Sequence, residues 1–342
     1  MVKGATTRPL FFARVAPAVP DGDTSAEPAP VRPMRERLTS LPRIAVLVAI
    51  TGLMAGCQPP PAAPDAPPQS RQTRPGPPQP ARRPVEAVHV LRDRLLARDG
   101  LGFARLAVPP ALFIRLEQGW RDGRSRWPLD ELPLDSRIPK MLTALQAPGA
   151  EKALMATFRR QFANADRDID QAIRTLEVFG GEYVQTDAGY SADEREHIAQ
   201  AIAAASDWAV RAPLADPARA APFFNALAAA ARRTGIEARQ GDKAYAALGM
   251  AQTLNRLTPF FATLLDQLRR QYGLELDATM RGMQATLMQQ TGDQARLRLR
   301  YQLAGRPVDA VVPVVRIDGH WYLADYVARA EASVAKRPAP TP

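Results

Sequence analysis

The sequence predicts an α+β fold in which a disordered N-terminal region precedes a mostly helical domain that ends in a four-stranded antiparallel meander. Three observations lead to this prediction. The 33 prolines, about twice the usual share, lie mostly outside any plausible core. From residue 85 onward, apolar residues recur at near-helical spacing. After Gly273 the apolar period changes from about 3.6 to about two.

The helical region divides into segments that end at glycine, proline or charged turns. The first segment has Val85, Val88 and Leu91 on one face and ends at Asp99-Gly100. Ser191 and Glu194 form a capping box, in which each side chain binds a free backbone amide at the start of a helix. We expect helices at 85–96, 103–107, 110–119, 154–176, 192–210, 217–233 and 242–272, with Gly180-Gly181 ending the fourth and Pro259 breaking or kinking the last.

The C-terminal region has the alternation of a half-buried sheet. Inward Ala295, Leu297, Leu299, Tyr301 and Leu303 alternate with outward Arg296, Arg298, Arg300 and Gln302. Strands are also expected at 283–289, 308–317 and 320–326, with a tight hairpin at Asp318-Gly319 and a short helix at 327–335.

The terminal hairpin, Asp318-Gly319-His320-Trp321-Tyr322-Leu323, resembles one found in nuclear-transport-factor-two-like and related cone-shaped lipoprotein domains. The resemblance covers residues 273–335. It implies a pocket between sheet and helices that either binds a small ligand or partner or is filled by side chains.

An uncharged apolar run of 13 residues, 44–56, follows three arginines and ends at Cys57, the only cysteine of the chain. A membrane-spanning helix needs about 20 apolar residues, so this run has the length of a secretory signal. Leu53-Met54-Ala55-Gly56-Cys57 resembles the lipobox of bacterial lipoproteins. The resemblance implies cleavage between Gly56 and Cys57, a diacylglyceryl group on the Cys57 thiol, and acylation of the new amine, commonly with palmitate. Gln58 after the cysteine, rather than aspartate, implies the outer membrane.

Two alternatives to this signal remain open. One is a structural cysteine in a short core helix, and the other is a cytoplasmic extension ahead of an uncleaved anchor. A start at Met34 gives a signal of ordinary length, so we interpret residues 1–33 as a disordered extension from a start codon assigned too far upstream.

Residues 57–84 contain 11 prolines in 28 positions and almost no large apolar side chain, which predicts a semi-rigid polyproline tether. The chain therefore divides into the extension 1–33, the signal peptide 34–56, the tether 57–84, the helical region 85–272, the meander with its terminal helix 273–335 and a disordered tail 336–342.

The net charge of +10 lies mostly outside the folded region. Residues 1–56 hold seven basic and four acidic groups, and residues 57–84 hold four and one, so these segments supply six of the ten charges. The charge therefore does not favour nucleic acid as a partner. A basic tether near anionic lipid headgroups is the simpler account.

No pattern in the sequence assigns catalytic chemistry. The chain lacks a Gly-x-Ser-x-Gly elbow and a glycine-rich phosphate loop, and one cysteine with three histidines leaves little for metal binding. Asp166-x-Asp168-x-Asp170 has calcium-loop spacing, but Gln171 stands where that loop needs glycine. Glu194-x-x-His197 has no second pair with which to build a di-iron site, so we interpret it as an exposed helix turn. We predict no metal and no cofactor.

Two segments are candidate binding surfaces. Trp120, Arg124, Arg126 and Trp127 form the densest aromatic and cationic stretch, which suits a glycan, lipid headgroups or an acidic partner. Arg296, Arg298 and Arg300 suit an anionic ligand. In the alternative, the two tryptophans fill the helical core and the arginine row is solvated or paired with acids of a neighbouring strand.

The sequence thus predicts a lipoprotein on the periplasmic side of the outer membrane whose domain binds a partner protein or envelope component without catalysis. The alternative is a periplasmic hydrolase or glycan-processing enzyme whose carboxylates meet only in the fold. Two close carboxylates in a pocket above the meander would favour the enzyme, and an apolar or filled pocket would favour binding.

Overall fold

A computed structural model describes residues 79–132, 137–187 and 189–335 of the chain. Outside these residues lie the predicted extension, the signal peptide, most of the tether (57–78) and the whole tail. Gly56 and Cys57 are therefore also outside the described residues. The described helices are α1 (Glu86–Leu96), α2 (Gly100–Ala107), α3 (Pro110–Arg121), α4 (Ile138–Gln146), α5 (Ala150–Gln161), α6 (Asp166–Thr186), α7 (Ala192–Arg211), α8 (Pro217–Arg233), α9 (Asp242–Tyr272), α10 (Leu276–Arg281) and α11 (Ala324–Ala335). The strands are β1 (Gln284–Thr291), β2 (Gln294–Leu303), β3 (Arg306–Ile317) and β4 (His320–Leu323).

The predicted fold class is confirmed: helices come first, and the four strands form an antiparallel sheet in the order β1-β2-β3-β4. Every second residue of β2 is buried, from Ala295 to Leu303, as its alternation predicts. At the β3–β4 hairpin, Asp318 and Gly319 both have positive φ, 50° and 77°. These are the torsions of the tight turn that matches the twist of two antiparallel strands.

The helical region differs from the prediction where glycine and proline were given too much weight. The expected helix at 154–176 is two helices, and the second, α6, runs through Gly180-Gly181 to Thr186. A glycine costs a helix about 1 kcal/mol relative to alanine. Burial of Val184 in a cluster with Ile198 and Ile202 of α7 offsets that cost.

The kink in α9 lies at Gly249 and not at Pro259, where we predicted it. Gly249 has φ 72° and ψ 173°, a conformation open essentially to glycine alone. Pro259 is inside the second segment of the helix, where Leu257 and Phe260 are fully buried on either side of it. Packing against the core therefore carries the helix past the proline.

Two main clusters of buried apolar side chains hold the described residues together. One lies among the helices and contains Trp120, Trp127 and Phe260. The other lies between the inner face of the sheet and helices α1, α7, α9 and α10, and it contains Leu297 and Trp321. None of the described helices combines the length and the apolar character that crossing a bilayer requires.

Helix α7 covers a part of the sheet edge that the short strand β4 leaves open. Strand β4 pairs only with Val314 to Ile317 of β3. Farther along β3, the amide of Gln200 donates to the Asp309 carbonyl at 3.0 Å and accepts from the Asp309 N–H at 2.8 Å. This side chain takes the place of a neighbouring strand. It also fixes the position of His197, one turn earlier on α7.

Candidate functional site

A cavity of about 120 Å³ lies between α1, α7, α11 and the sheet. Its walls are mostly apolar and include Leu91, Leu95, Phe103, Met280, Leu299 and Val312. A cavity of this order can hold a small apolar molecule, because engineered cavities of about 150 Å³ bind benzene. The cavity lies between sheet and helices, where the resemblance to cone-shaped domains implied a pocket that is either open or filled.

One end of the cavity is polar. Helix α7 contributes Glu194 and His197, which are three residues apart and so lie on one face. Helix α11 contributes Asp325 and Arg329 at a spacing of four. The Tyr301 hydroxyl of β2 completes this group and lies 2.8 Å from His197 Nε2.

Arg329 is the centre of a partly buried ion network. Its guanidinium binds Glu131 at 2.6 Å and also binds Glu194. The Glu131 side chain is only 4% exposed, and that of Arg329 is 18% exposed. The guanidinium also lies 5.3 Å from the ring centre of Tyr326, within cation–π range.

Glu194 has a second, structural role. The predicted capping box is present: Ser191 Oγ accepts from the Glu194 N–H at 3.2 Å, and Glu194 Oε2 accepts from the Ser191 N–H at 3.1 Å. One carboxylate oxygen therefore holds the start of α7, while the other binds Arg329. This double use fixes the Glu194 carboxylate at the edge of the cavity.

Burial and charge shift the titration of the other groups in opposite directions. Burial, together with the nearby Glu194 carboxylate, raises the pKa of Asp325 to about 6. Burial lowers the pKa of His197 to about 4, so its imidazole is neutral at pH 7. Burial alone would lower the pKa of Arg329, but the carboxylates of Glu131 and Glu194 raise it above its ordinary value. At neutral pH the polar end thus holds an ionised, partly desolvated Asp325.

Residues Trp120 and Trp127 do not form the surface that we predicted for them. Both are buried, 1% and 0% exposed, and the Trp120 indole N–H donates to the Trp127 carbonyl at 2.7 Å. Burying the two large rings removes more apolar area from water than an exposed loop would. Arg124 pairs with Asp122 and Arg126 with Asp242, both near the surface.

The arginine row of β2 is exposed but paired with acids. Arg298 binds Asp309 of β3 at 2.6 Å, and Arg300 binds the same carboxylate at 3.1 Å. The hydrogen bonds from Arg298 help to lower the pKa of Asp309 to about 2. Arg296 binds Asp193 at the start of α7, at 2.7 Å. The structure therefore favours the paired alternative over an open anion site.

Sequence reasoning missed the polar end of the cavity. We interpreted Glu194 and His197 as an exposed turn, whereas both line the cavity. Asp325 and Arg329 were not among the predicted site residues. Their spacing of four places them on one face of a helix, which is a weak sequence signal for a charged pair. The three aspartates of calcium-loop spacing, at positions 166, 168 and 170, lie in the first turns of α6. Among the described residues, no cluster of His, Cys, Asp and Glu has metal-binding geometry.

Comparison with known proteins finds no matching family model, no similar curated protein and no similar solved structure. The resemblances to the lipoprotein lipobox and to the cone-shaped domains therefore stay predictions.

Proposed function

We propose that this protein is a lipid-anchored lipoprotein, held at the periplasmic side of the outer membrane through Cys57, whose domain binds an envelope component. The anchor is supported by the basic flank, the 13-residue apolar run and the single cysteine at its end. Binding is supported by one observation above the others. The cavity between sheet and helices joins apolar walls to a charged end, which is the usual composition of a small-molecule site.

The attachment point of the tether fits this arrangement. Ala81 is buried and forms a β-bridge with Trp321, whose N–H donates to the Ala81 carbonyl at 2.8 Å. The chain thus enters the domain at the free edge of β4. If residues 57–80 form the predicted polyproline spacer, it would reach about 70 Å at about 3.1 Å per residue. Such a reach would let the domain meet components well away from the anchoring leaflet.

The anchor is tested by intact-mass and N-terminal analysis of the protein from the membrane fraction, alongside Cys57→Ser. We expect a mature chain that starts at Cys57 and carries acyl chains, with both features lost in the variant. An unprocessed chain that starts at Met1 would refute the anchor and the localisation together.

Binding is tested by identifying the small molecules that purify with the protein from its own membranes. Val312 lines the cavity, so Val312→Phe should fill it. Val315 lies on the same strand and does not line the cavity, so Val315→Phe is the matched control. We expect a molecule that purifies with the wild type and the control but not with Val312→Phe. A molecule retained by both variants would show that it binds elsewhere.

The alternative of a hydrolase rests on Asp325. This residue lies near Glu194, and its raised pKa of about 6 suits a general acid. Binding fits better because both oxygens of Glu194 are engaged by Ser191 and Arg329. Glycoside hydrolysis commonly needs a second carboxylate that is free to react. We expect no release of reducing ends from purified envelope glycan. Release by the wild type that is abolished in Asp325→Asn would replace our proposal with the enzyme.

A further inference from the structure

The polar end of the cavity carries more negative than positive charge. Glu131, Glu194 and Asp325 surround the single guanidinium of Arg329, and the first two are ion-paired with it. Arg92 also lines the cavity, but its guanidinium binds Asp93 at 2.8 Å. Arg329 also attracts Asp325, which forms a hydrogen bond with Glu194, so one guanidinium serves three partly buried carboxylates. A buried charge is unfavourable unless it is paired.

We propose that the cavity binds a small organic monocation, an ammonium group on an apolar body of one ring or about six carbons. The ammonium group would lie beside Asp325 and Glu194 and supply the positive charge that this end lacks. The apolar body would lie between Leu95, Phe103 and Leu299, in a cavity of about 120 Å³. This inference rests on the binding function proposed above and names the class of ligand.

Anionic and neutral ligands fit the same site less well. An anion would approach Asp325 and Glu194, while Arg329 is already engaged by two carboxylates. A neutral ligand would exclude water from Asp325 without pairing its charge, which adds a desolvation penalty. An organic monocation does both: its apolar body fills the cavity, and its charge pairs with the Asp325 carboxylate. Charge therefore sets the specificity, and apolar area supplies part of the affinity.

Binding of a monocation should depend on pH through Asp325. The charged and titratable groups around Asp325 are Glu194, Asp193 and His197 of α7, Arg329 and Tyr326 of its own helix, Arg92 of α1 and Tyr301 of β2. His197 is neutral above pH 5, since burial lowers its pKa to about 4. Asp325, with a pKa of about 6, loses its charge as the pH falls from 7.5 to 5. The affinity should then fall about tenfold, in proportion to the ionised fraction.

The test is calorimetric titration of the full chain in lipid nanodiscs with benzylammonium, which stays protonated across this range. Benzyl alcohol is the neutral counterpart, and empty nanodiscs correct for partition into lipid. We expect benzylammonium to bind more tightly than benzyl alcohol at pH 7.5 and about tenfold more weakly at pH 5. The affinity for benzyl alcohol should not fall at pH 5, because protonation of Asp325 removes the penalty of desolvating its charge.

Asp325→Asn should bind benzylammonium no better than benzyl alcohol. Asp318→Asn, the same change at an exposed turn, should behave as the wild type. Equal binding of both compounds by the wild type, or unchanged preference in Asp325→Asn, would overturn the monocation inference and leave small-molecule binding intact. Binding of neither compound would overturn the cavity as a site. If Asp325→Asn does not fold, the pH dependence of the wild type decides.

Discussion

Replacement of Arg329 by methionine removes the cation that binds Glu131 and Glu194 while keeping the apolar stem of the side chain. The two partly buried carboxylates would then lose their ion pairs with Arg329. Removing one member of a buried ion pair costs about 3–5 kcal/mol. Because Glu131 is 4% exposed but Glu194 is 15% exposed, we expect the lower end, about 3 kcal/mol at pH 7.

The loss should be measured as the free energy of urea unfolding of the purified chain, followed by far-ultraviolet circular dichroism. Arg270→Met is the control, because Arg270 is 60% exposed and Asp266 keeps Arg269 as a second partner. We expect the control to lose at most about 0.5 kcal/mol. Equal losses in Arg329→Met and Arg270→Met would refute the ion network as a stabilising element.

Three further predictions concern His197, the α9 kink and the covered sheet edge. His197 has a folded pKa of about 4 against 6.5 unfolded, so the unfolded chain binds the proton first as the pH falls through this window. Between pH 6.5 and 4 the free energy of unfolding should therefore fall by up to about 3 kcal/mol more in the wild type than in His197→Gln. Unfolding measured at each pH checks this. Gly249→Ala should lower the thermal midpoint, because it strains the backbone by about 1–3 kcal/mol, whereas Gly181→Ala, in the interior of α6, should raise it. A lowered midpoint in both would contradict our account of the kink. Gln200→Ala should speed hydrogen exchange at the Asp309 amide, and unchanged exchange there would show that Gln200 does not close the β3 edge.

The sheet could be predicted from the sequence because its signals are local. The alternation from Ala295 to Leu303 predicts which side of β2 is buried, and this pattern can be recognised from neighbouring residues alone. The positive φ values of Asp318 and Gly319 follow from a two-residue turn between strands. Capping of α7 by Ser191 and Glu194 was likewise predictable, because the two residues are three positions apart.

The polar end of the cavity could not be predicted, because its parts come from distant positions. Glu131 precedes α4, Glu194 begins α7, and Asp325 and Arg329 lie in the last helix. Each is an ordinary charged residue in its local setting. The α9 kink was misplaced for a related reason: proline gives a strong local signal, but burial of Leu257 and Phe260 decided the outcome at Pro259.

The position of the ion network favours a functional role for it. Buried ion pairs are seldom the most stable choice, because well-packed apolar residues of similar size commonly serve as well or better. In this domain the network faces a cavity with apolar walls, where apolar replacements of Glu194 and Arg329 would simply extend the core. Helix α11 follows β4 without a loop, so Asp325 is held at the end of the sheet beside that cavity. Charged side chains at the edge of an apolar cavity fit recognition of a ligand better than stabilisation of the fold.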